Sequence, residues 1–267
     1  MDSAPPDPHR IVQHTFVAAV EYHPTIGSTN DRAKECAVRE SSELPLLIVA
    51  GRQTAGRGRG ANRWWSGPGT LACSVLLDAE SLGLDRGFSP LVSLVAAAAV
   101  AESVRPLLPG HCAGIHWPND VFVGQRKLAG ILIEGLTYRR HVIGIGLNTN
   151  CTLDDAPEEL RGTATTLREL TGRTHDHTEI LIAILQRLEE GLRLLVCRPE
   201  QVGARANELC VQHGRTLAVE FGGRKTTGCC AGIATDGALL LDTPDGQKRF
   251  YTGVLSTEAS SARTARS

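Results

Sequence analysis

The chain has 267 residues, of which 42% are apolar and 21% charged, with a formal net charge of −1. That is the length of one large domain plus a small one, long enough to bury a substantial core, with the composition of an ordinary soluble protein rather than a disordered one. The near-neutral balance excludes a global basic surface for nonspecific nucleic-acid binding, so any charged site must be local.

Residues 1–15 contain Pro and Asp, lack an apolar secretory core, and read as a flexible lead-in. Ser28-Thr29-Asn30-Asp31 is a cluster of helix-cap residues ahead of apolar Ala33, Cys36 and Ala37, which predicts a short helix. Residues 46–50 form a short buried strand, 51–60 a Gly/Arg segment, and 70–77 a second strand. Ser89-Pro90 opens an apolar helix that Pro106 and Pro109-Gly110 close. Its apolar run is short of the roughly 20 residues a bilayer span needs, so no membrane partner is expected.

A strand at 115–117 enters Pro118-Asn119-Asp120, and residues 121–134 read as a β-hairpin turning at 124–127. A further strand covers 141–147 and ends at Asn148. The strongest amphipathic helix covers 178–196, and another covers 199–210. Beyond residue 212 the texture changes to short strands at 217–221, 227–233, 238–241 and 249–254, separated by Gly-rich turns. That pattern predicts a small all-β barrel at 213–256, after a main unit at 16–212 and before a disordered tail at 257–267.

Eight cysteines are scattered without a C-x-x-C pair, and in a chain without a secretory signal they read as reduced thiols. The cytosol is the simplest location, with the mitochondrion left open. His175-Asp176-His177 reads as a polar helix lead-in, not a metal site. Residues 51–66 interleave Arg52, Arg57, Arg59 and Arg63 with glycines and hold no acid. Glycine lets backbone N–H groups approach a ligand, and arginine offers planar forks to carboxylate or phosphate. The segment therefore favours a small anion. Gly56-x-Gly58-x-x-Ala61, with Asp78 about 20 residues on, formally meets a relaxed dinucleotide fingerprint. It leads into another strand, where a Rossmann turn must open a helix, so that reading is set aside. RNA binding by the Arg/Gly segment is a distant alternative.

Five segments in order resemble the biotin protein ligase family: Ser28-Thr29-Asn30; Gln53 through Arg59 to Trp64; Trp117-Pro118-Asn119-Asp120; Arg126 to Leu132 with Glu134; and Gly144-Ile145-Gly146-Leu147-Asn148. The Gly237-Ala238-Leu239-Leu240 turn also fits, and the resemblance covers about residues 20–256. It implies an α+β fold: a mixed-sheet catalytic domain like the class II aminoacyl-tRNA synthetases, followed by a small SH3-like β-barrel. It also implies an ATP-dependent ligase that forms biotinyl-5′-AMP and then transfers biotin to a lysine of biotin-dependent carboxylases. A lipoate or octanoate ligase or transferase of the same fold is the alternative.

The resemblance gives Ser28, Thr29, Asn30, Gln53, Gly56, Arg57, Gly58, Arg59, Lys127 and Gly130 as biotin-binding. It gives Arg57, Arg59, Arg63, Trp64, Asn119, Asp120, Lys127 and Asn148 as ATP- and adenylate-binding. The catalytic set is Lys127, Arg59 and Asp120. Two anions must meet in the first step, and Arg57, Arg59 and Lys127 are the cations available to screen them. Trp64 is expected to stack on adenine, and Trp117 to pack behind Asn119 and Asp120. Asp120 either holds the acceptor amine or organises Mg²⁺, which is expected with the ATP phosphates. Two positions depart from the family pattern: His116 stands where a basic residue is usual, and Ala61 where glycine is. The expected partners are carboxylase acceptor domains. About 20 residues precede the motifs, too few for a winged helix, so no DNA partner is expected; monomer and homodimer stay open.

Overall fold

A computed structural model describes residues 4–38, 43–84, 90–136 and 140–257. Seven strands form the main sheet: β1 (Ala19–His23), β2 (Leu46–Ala50), β3 (Leu71–Asp78), β4 (Ala113–His116), β5 (Asp120–Val123), β6 (Arg126–Gly135) and β7 (Arg140–Leu147). Their spatial order is β1-β2-β3-β7-β6-β5-β4, with β1 and β2 parallel and the other pairs antiparallel.

Alternation along the strands gives this sheet two faces. Leu47, Val49, Val75, Ile131, Ile143 and Ile145 point into the main core. Helices α3 (Pro90–Val104), α6 (His177–Cys197) and α7 (Pro199–Glu208) are built into that core. Residues 90–107 have the length and hydropathy of a membrane span. In this fold α3 is apolar all round because it is covered nearly all round. On the opposite face, Leu46, Ile48, Leu76 and Val142 pack against Ala33, Cys36 and Ala37 of α2 (Thr29–Ala37). Further along, the same face turns small and polar, with Ser74 on β3, Gly144 and Gly146 on β7, and Gly130 on β6. The change from leucine to glycine leaves a trough beside the start of α2.

After the main unit come β8 (Thr216–Phe221), β9 (Arg224–Ile233), β10 (Leu239–Thr243), β11 (Gly246–Phe250) and β12 (Val254–Thr257), ordered β11-β10-β9-β8-β12. The mixed-sheet α+β architecture with a small C-terminal β unit is the one expected. The β unit docks through its 234–238 turn. The Trp117 indole N–H donates to the Gly237 carbonyl at 3.0 Å, and Asn207 Oδ1 accepts from the Ile233 amide at 2.8 Å. Trp117 is 1% exposed and belongs to the main core, so the core-packing role expected of it is the one seen.

Three expectations need correcting. The lead-in at 1–15 contains a helix, α1 (Pro8–His14): Asp7 caps it, Pro8 starts it, and Ile11 is fully buried in the main core. Arg10 pairs with Glu179 of α6 at 2.5 Å. Strand β1 was not expected at all; its half-buried, mixed residues carry little pattern. The single strand expected at 249–254 is the end of β11 and the start of β12, separated by residues 251–253. The Ser89 cap and the tail from residue 258 lie outside the described residues.

The His175-Asp176-His177 triplet does lead into a helix, since Asp176 accepts from the Thr178 amide at 2.7 Å and caps α6. His177 is 7% exposed, its Nε2 lies 2.7 Å from Thr149 Oγ1, and burial pushes its pKa down to about 4. Above pH 6.5 the imidazole is neutral folded or unfolded and contributes no slope. Below that value the unfolded chain takes up a proton that the folded one refuses, so stability falls with pH until the folded group titrates. Between pH 7 and 5 this group should remove about 2 kcal/mol. Urea titrations should therefore show a shallower fall over that range for His177→Gln than for the wild type. Equal slopes would refute the assignment.

Candidate active site

The trough opens into a cleft of about 1340 Å³, bounded by the sheet, the Arg/Gly segment, the 116–120 turn and the edge of the C-terminal β unit. Ser28, Thr29, Asn30, Gln53, Gly56, Arg57, Gly58, Arg59, Arg63, Trp64, Asn119, Asp120, Lys127 and Gly130 all line it. Four distant parts of the chain thus supply one cavity.

One part of the cleft is a buried polar network. Ser28 caps α2 through its backbone, and its hydroxyl makes no cap bond. Gln53 Oε1 accepts from the Thr29 amide at 2.7 Å and from its hydroxyl at 3.1 Å. Ser74, buried on β3, bonds Thr29 Oγ1 at 2.7 Å and Asn30 Oδ1 at 2.6 Å. With its carbonyl oxygen spent on Thr29, Gln53 keeps an NH₂ group for a ligand acceptor. Such a chain of fixed donors and acceptors suits a compact, planar polar head group. A Cβ at Gly144 would overlap Asn30 Oδ1, so the network requires glycine there.

A second part is charged. Lys127 Nζ lies 2.7 Å from Asp120 Oδ2 and 5.8 Å from the centroid of the Trp64 ring. Asp120 Oδ1 is buried with no partner among the described residues. The Trp64 ring lies against Gly146, where a Cβ would overlap it, and near Gly130. Its indole N–H is buried and unpartnered among the described residues. His116 stacks on Phe122, with centroids 4.3 Å apart. Burial pushes its pKa below the usual histidine value and Lys127 adds to this, against the opposing pull of Asp120. The position therefore carries a neutral ring near pH 7.

The Arg/Gly segment is a small hairpin, with Gly58 N to Asn62 O at 2.8 Å and Trp64 N to Gly56 O at 3.0 Å. It leads into β3 without a helix, as the rejection of a Rossmann turn requires. Arg59 donates to the Gly253 carbonyl of the β unit at 2.5 Å. Arg57 pairs through Nη2 with Glu134 and, at 3.0 Å, with Asp31, while its Nε is buried and unpartnered among the described residues. Burial alone would raise the Glu134 carboxyl, but hydrogen bonds from Lys34, Asn30 and Arg57 outweigh it and hold the group below the ordinary carboxylate range.

Asn148, expected at the nucleotide, is not among the residues lining the cleft. It is 4% exposed, and its amide donates to the Thr165 carbonyl at 3.1 Å. It follows the last residue of β7, and its backbone N–H donates to the Leu128 carbonyl at 3.0 Å. Asn119 does line the cleft, with its amide tied to the Ile131 carbonyl at 2.7 Å. Sequence reasoning missed Ser74 as part of the site, and it had Gly144 and Gly146 only as members of a family-like segment, without a role of their own. A serine inside an apolar strand and glycines spaced by two were the available signals. The contribution of Phe221, Gly253 and Val254 from the β unit left no local signal.

The sequence matches the biotin/lipoate A/B protein ligase family over residues 22–150 and the biotin protein ligase C-terminal domain over residues 213–256. It is 32% identical over 245 residues to the bifunctional ligase/repressor BirA of Bacillus spizizenii, covering 86% of this chain and 71% of that protein. It is 34% identical over 226 residues to the biotin–[acetyl-CoA-carboxylase] ligase of Mycobacterium tuberculosis, covering 81% and 80%. The structure resembles the biotin protein ligase from Aquifex aeolicus in complex with biotin and ATP. The TM-score is 0.79 and the identity 29%, over 90% of this chain and 99% of that one.

Proposed function

The chain belongs to the biotin protein ligase family, and from that premise we infer what its cleft does. It is an ATP-dependent ligase that forms biotinyl-5′-AMP and transfers biotin to a lysine of biotin-dependent carboxylases. The observation that carries the reading is the pairing of Lys127 with Asp120 in the same cleft as the Thr29–Gln53–Ser74–Asn30 network.

The ureido head of biotin takes its hydrogen bonds from Ser28, Thr29 and the Gln53 NH₂ group. Its carboxylate lies toward Lys127. In the first step a carboxylate oxygen attacks the α-phosphorus of ATP and pyrophosphate leaves. Lys127 and the arginines of the hairpin stabilise the charge that builds on the phosphorus oxygens. In the second step the neutral acceptor amine attacks the anhydride carbonyl, AMP leaves with the bridging oxygen, and the amine loses a proton. Asp120 Oδ1, buried and unpartnered among the described residues, is the group placed to orient that amine. Trp64 offers the nucleotide an apolar face.

Among the described residues there is no cluster of three or more His, Cys, Asp or Glu side chains to hold a metal. A single carboxylate oxygen on Asp120 fits a Mg²⁺ that is held chiefly by phosphate oxygens. When bound, Mg²⁺ neutralises phosphate charge.

The lipoate alternative is disfavoured by the match to the biotin protein ligase C-terminal domain. The RNA alternative is disfavoured by the match of both units of the chain to ligase family models. Incubation with ATP, biotin and a carboxylase acceptor domain should add one biotinyl group to a single lysine, read by mass, with no reaction when lipoate replaces biotin. Lipoylation, or no modification, would overturn the reading.

A further inference from the structure

We propose that Glu134 is a positioning residue of this ligase: by gripping Arg57 it holds the Arg/Gly hairpin over the cleft, so the adenylate stays bound until the acceptor lysine arrives. The proposal rests on the ligase reading, because it concerns the fate of the mixed anhydride. That intermediate reacts with water and with any free amine, so its survival depends on a cover.

Backbone bonds to Ile26 and Gly27 hold the base of the hairpin at Thr54 and Ala55, but from Gly56 to Trp64 its backbone bonds are internal, so side chains must tie that part down. Arg57 is its charged tie to the sheet and α2, beside the apolar contact of the Trp64 ring with Gly146. Its Nη2 is shared between Glu134 at the far end of β6 and Asp31 of α2, the latter at 3.0 Å. Lys34 closes the ring, 2.7 Å from Glu134 Oε1 and 3.7 Å from Asp31. Two carboxylates and two cations thus alternate around the root of the hairpin, and the Asn30 amide adds a 2.8 Å bond to Glu134 Oε2. Such a network is stiffer than an isolated surface pair. Arg57 lines the cleft with its Nε unpartnered among the described residues, while Glu134 is not among the lining residues. Glu134 therefore acts on the chemistry through Arg57 or through Asn30, and these two routes have different readouts.

Glu134→Gln keeps the shape and removes the charge. Two rates are measured: tryptic cleavage at Arg57, Arg59 and Arg63 in the free protein, and loss of biotinyl-adenylate from the protein into a filtrate after ATP and biotin are added. Each should rise roughly three- to tenfold, the size of a charge-assisted contact that is partly exposed. Biotinylation of a bystander protein such as serum albumin should rise with them. Asp31→Asn, at a half-exposed position on α2, should move all three in the same direction by less, and it carries the test if Glu134→Gln folds poorly. Retention and cleavage like wild type in both variants would overturn the latch. So would weaker biotin binding with the hairpin no more accessible, which would place the role in Asn30. A wild type that forms no adenylate would sink the ligase reading instead, and trypsin would still report on the latch.

Discussion

Lys127→Ala is expected to slow biotinyl-adenylate formation by about 10²- to 10³-fold, the typical loss when one group aimed at transition-state charge is removed. The geometry argues for the upper part of that range. Lys127 is the cation 2.7 Å from Asp120, and truncation leaves that carboxylate uncompensated in a cleft that must admit a biotin carboxylate and a triphosphate. The variant would thus lose a donor and gain a repulsion. Folding should be nearly unaffected, because the side chain is 34% exposed. Pyrophosphate release in single-turnover conditions reads the first step, and thermal melting checks the fold. Adding Asp120→Asn to Lys127→Ala should restore part of the ATP affinity by removing the unpaired charge, though not the rate. Adenylate formation near the wild-type level in Lys127→Ala would refute its role.

What could be read in the sequence was what short segments encode. The cap cluster at 28–31, the glycine–arginine alternation at 56–60 and the hairpin expected to turn at 124–127 each carry their own chemistry; the first two stand where expected, and the hairpin turns more tightly, at 124–125, with Arg126 and Lys127 already in β6. Elements whose reason for existing lies elsewhere were illegible. Helix α1 contributes Ile11 to a core assembled from distant residues, and β1 is an edge strand with few apolar side chains. Arg59 finds its partner 194 residues away at Gly253, and no local pattern announces such a contact. Asn148 lies just beyond a segment that does reach the cleft through Gly144 and Gly146, and its own amide donates to the Thr165 carbonyl.

Gly144→Ala should weaken biotin binding by about 10- to 100-fold and leave ATP binding close to wild type. The added methyl group would overlap Asn30 Oδ1. Asn30 has little room to yield: it is 4% exposed, and it is bonded to Ser74 at 2.6 Å and to Glu134 at 2.8 Å. Overpacking of this kind costs about 1–3 kcal/mol where neighbours cannot relax. The strain passes through Ser74 to Thr29 and Gln53, the groups assigned to the ureido head. Gly146→Ala is the matched control, two residues along the same face of β7, where the methyl would meet the Trp64 ring instead. That variant should weaken nucleotide binding more than biotin binding. Calorimetric titration of each protein with biotin and with ATP separates the two effects. Equal losses of both ligands in both variants would mean that the glycines only preserve the sheet, whereas crossed losses would place biotin over Gly144 and the nucleotide toward Gly146.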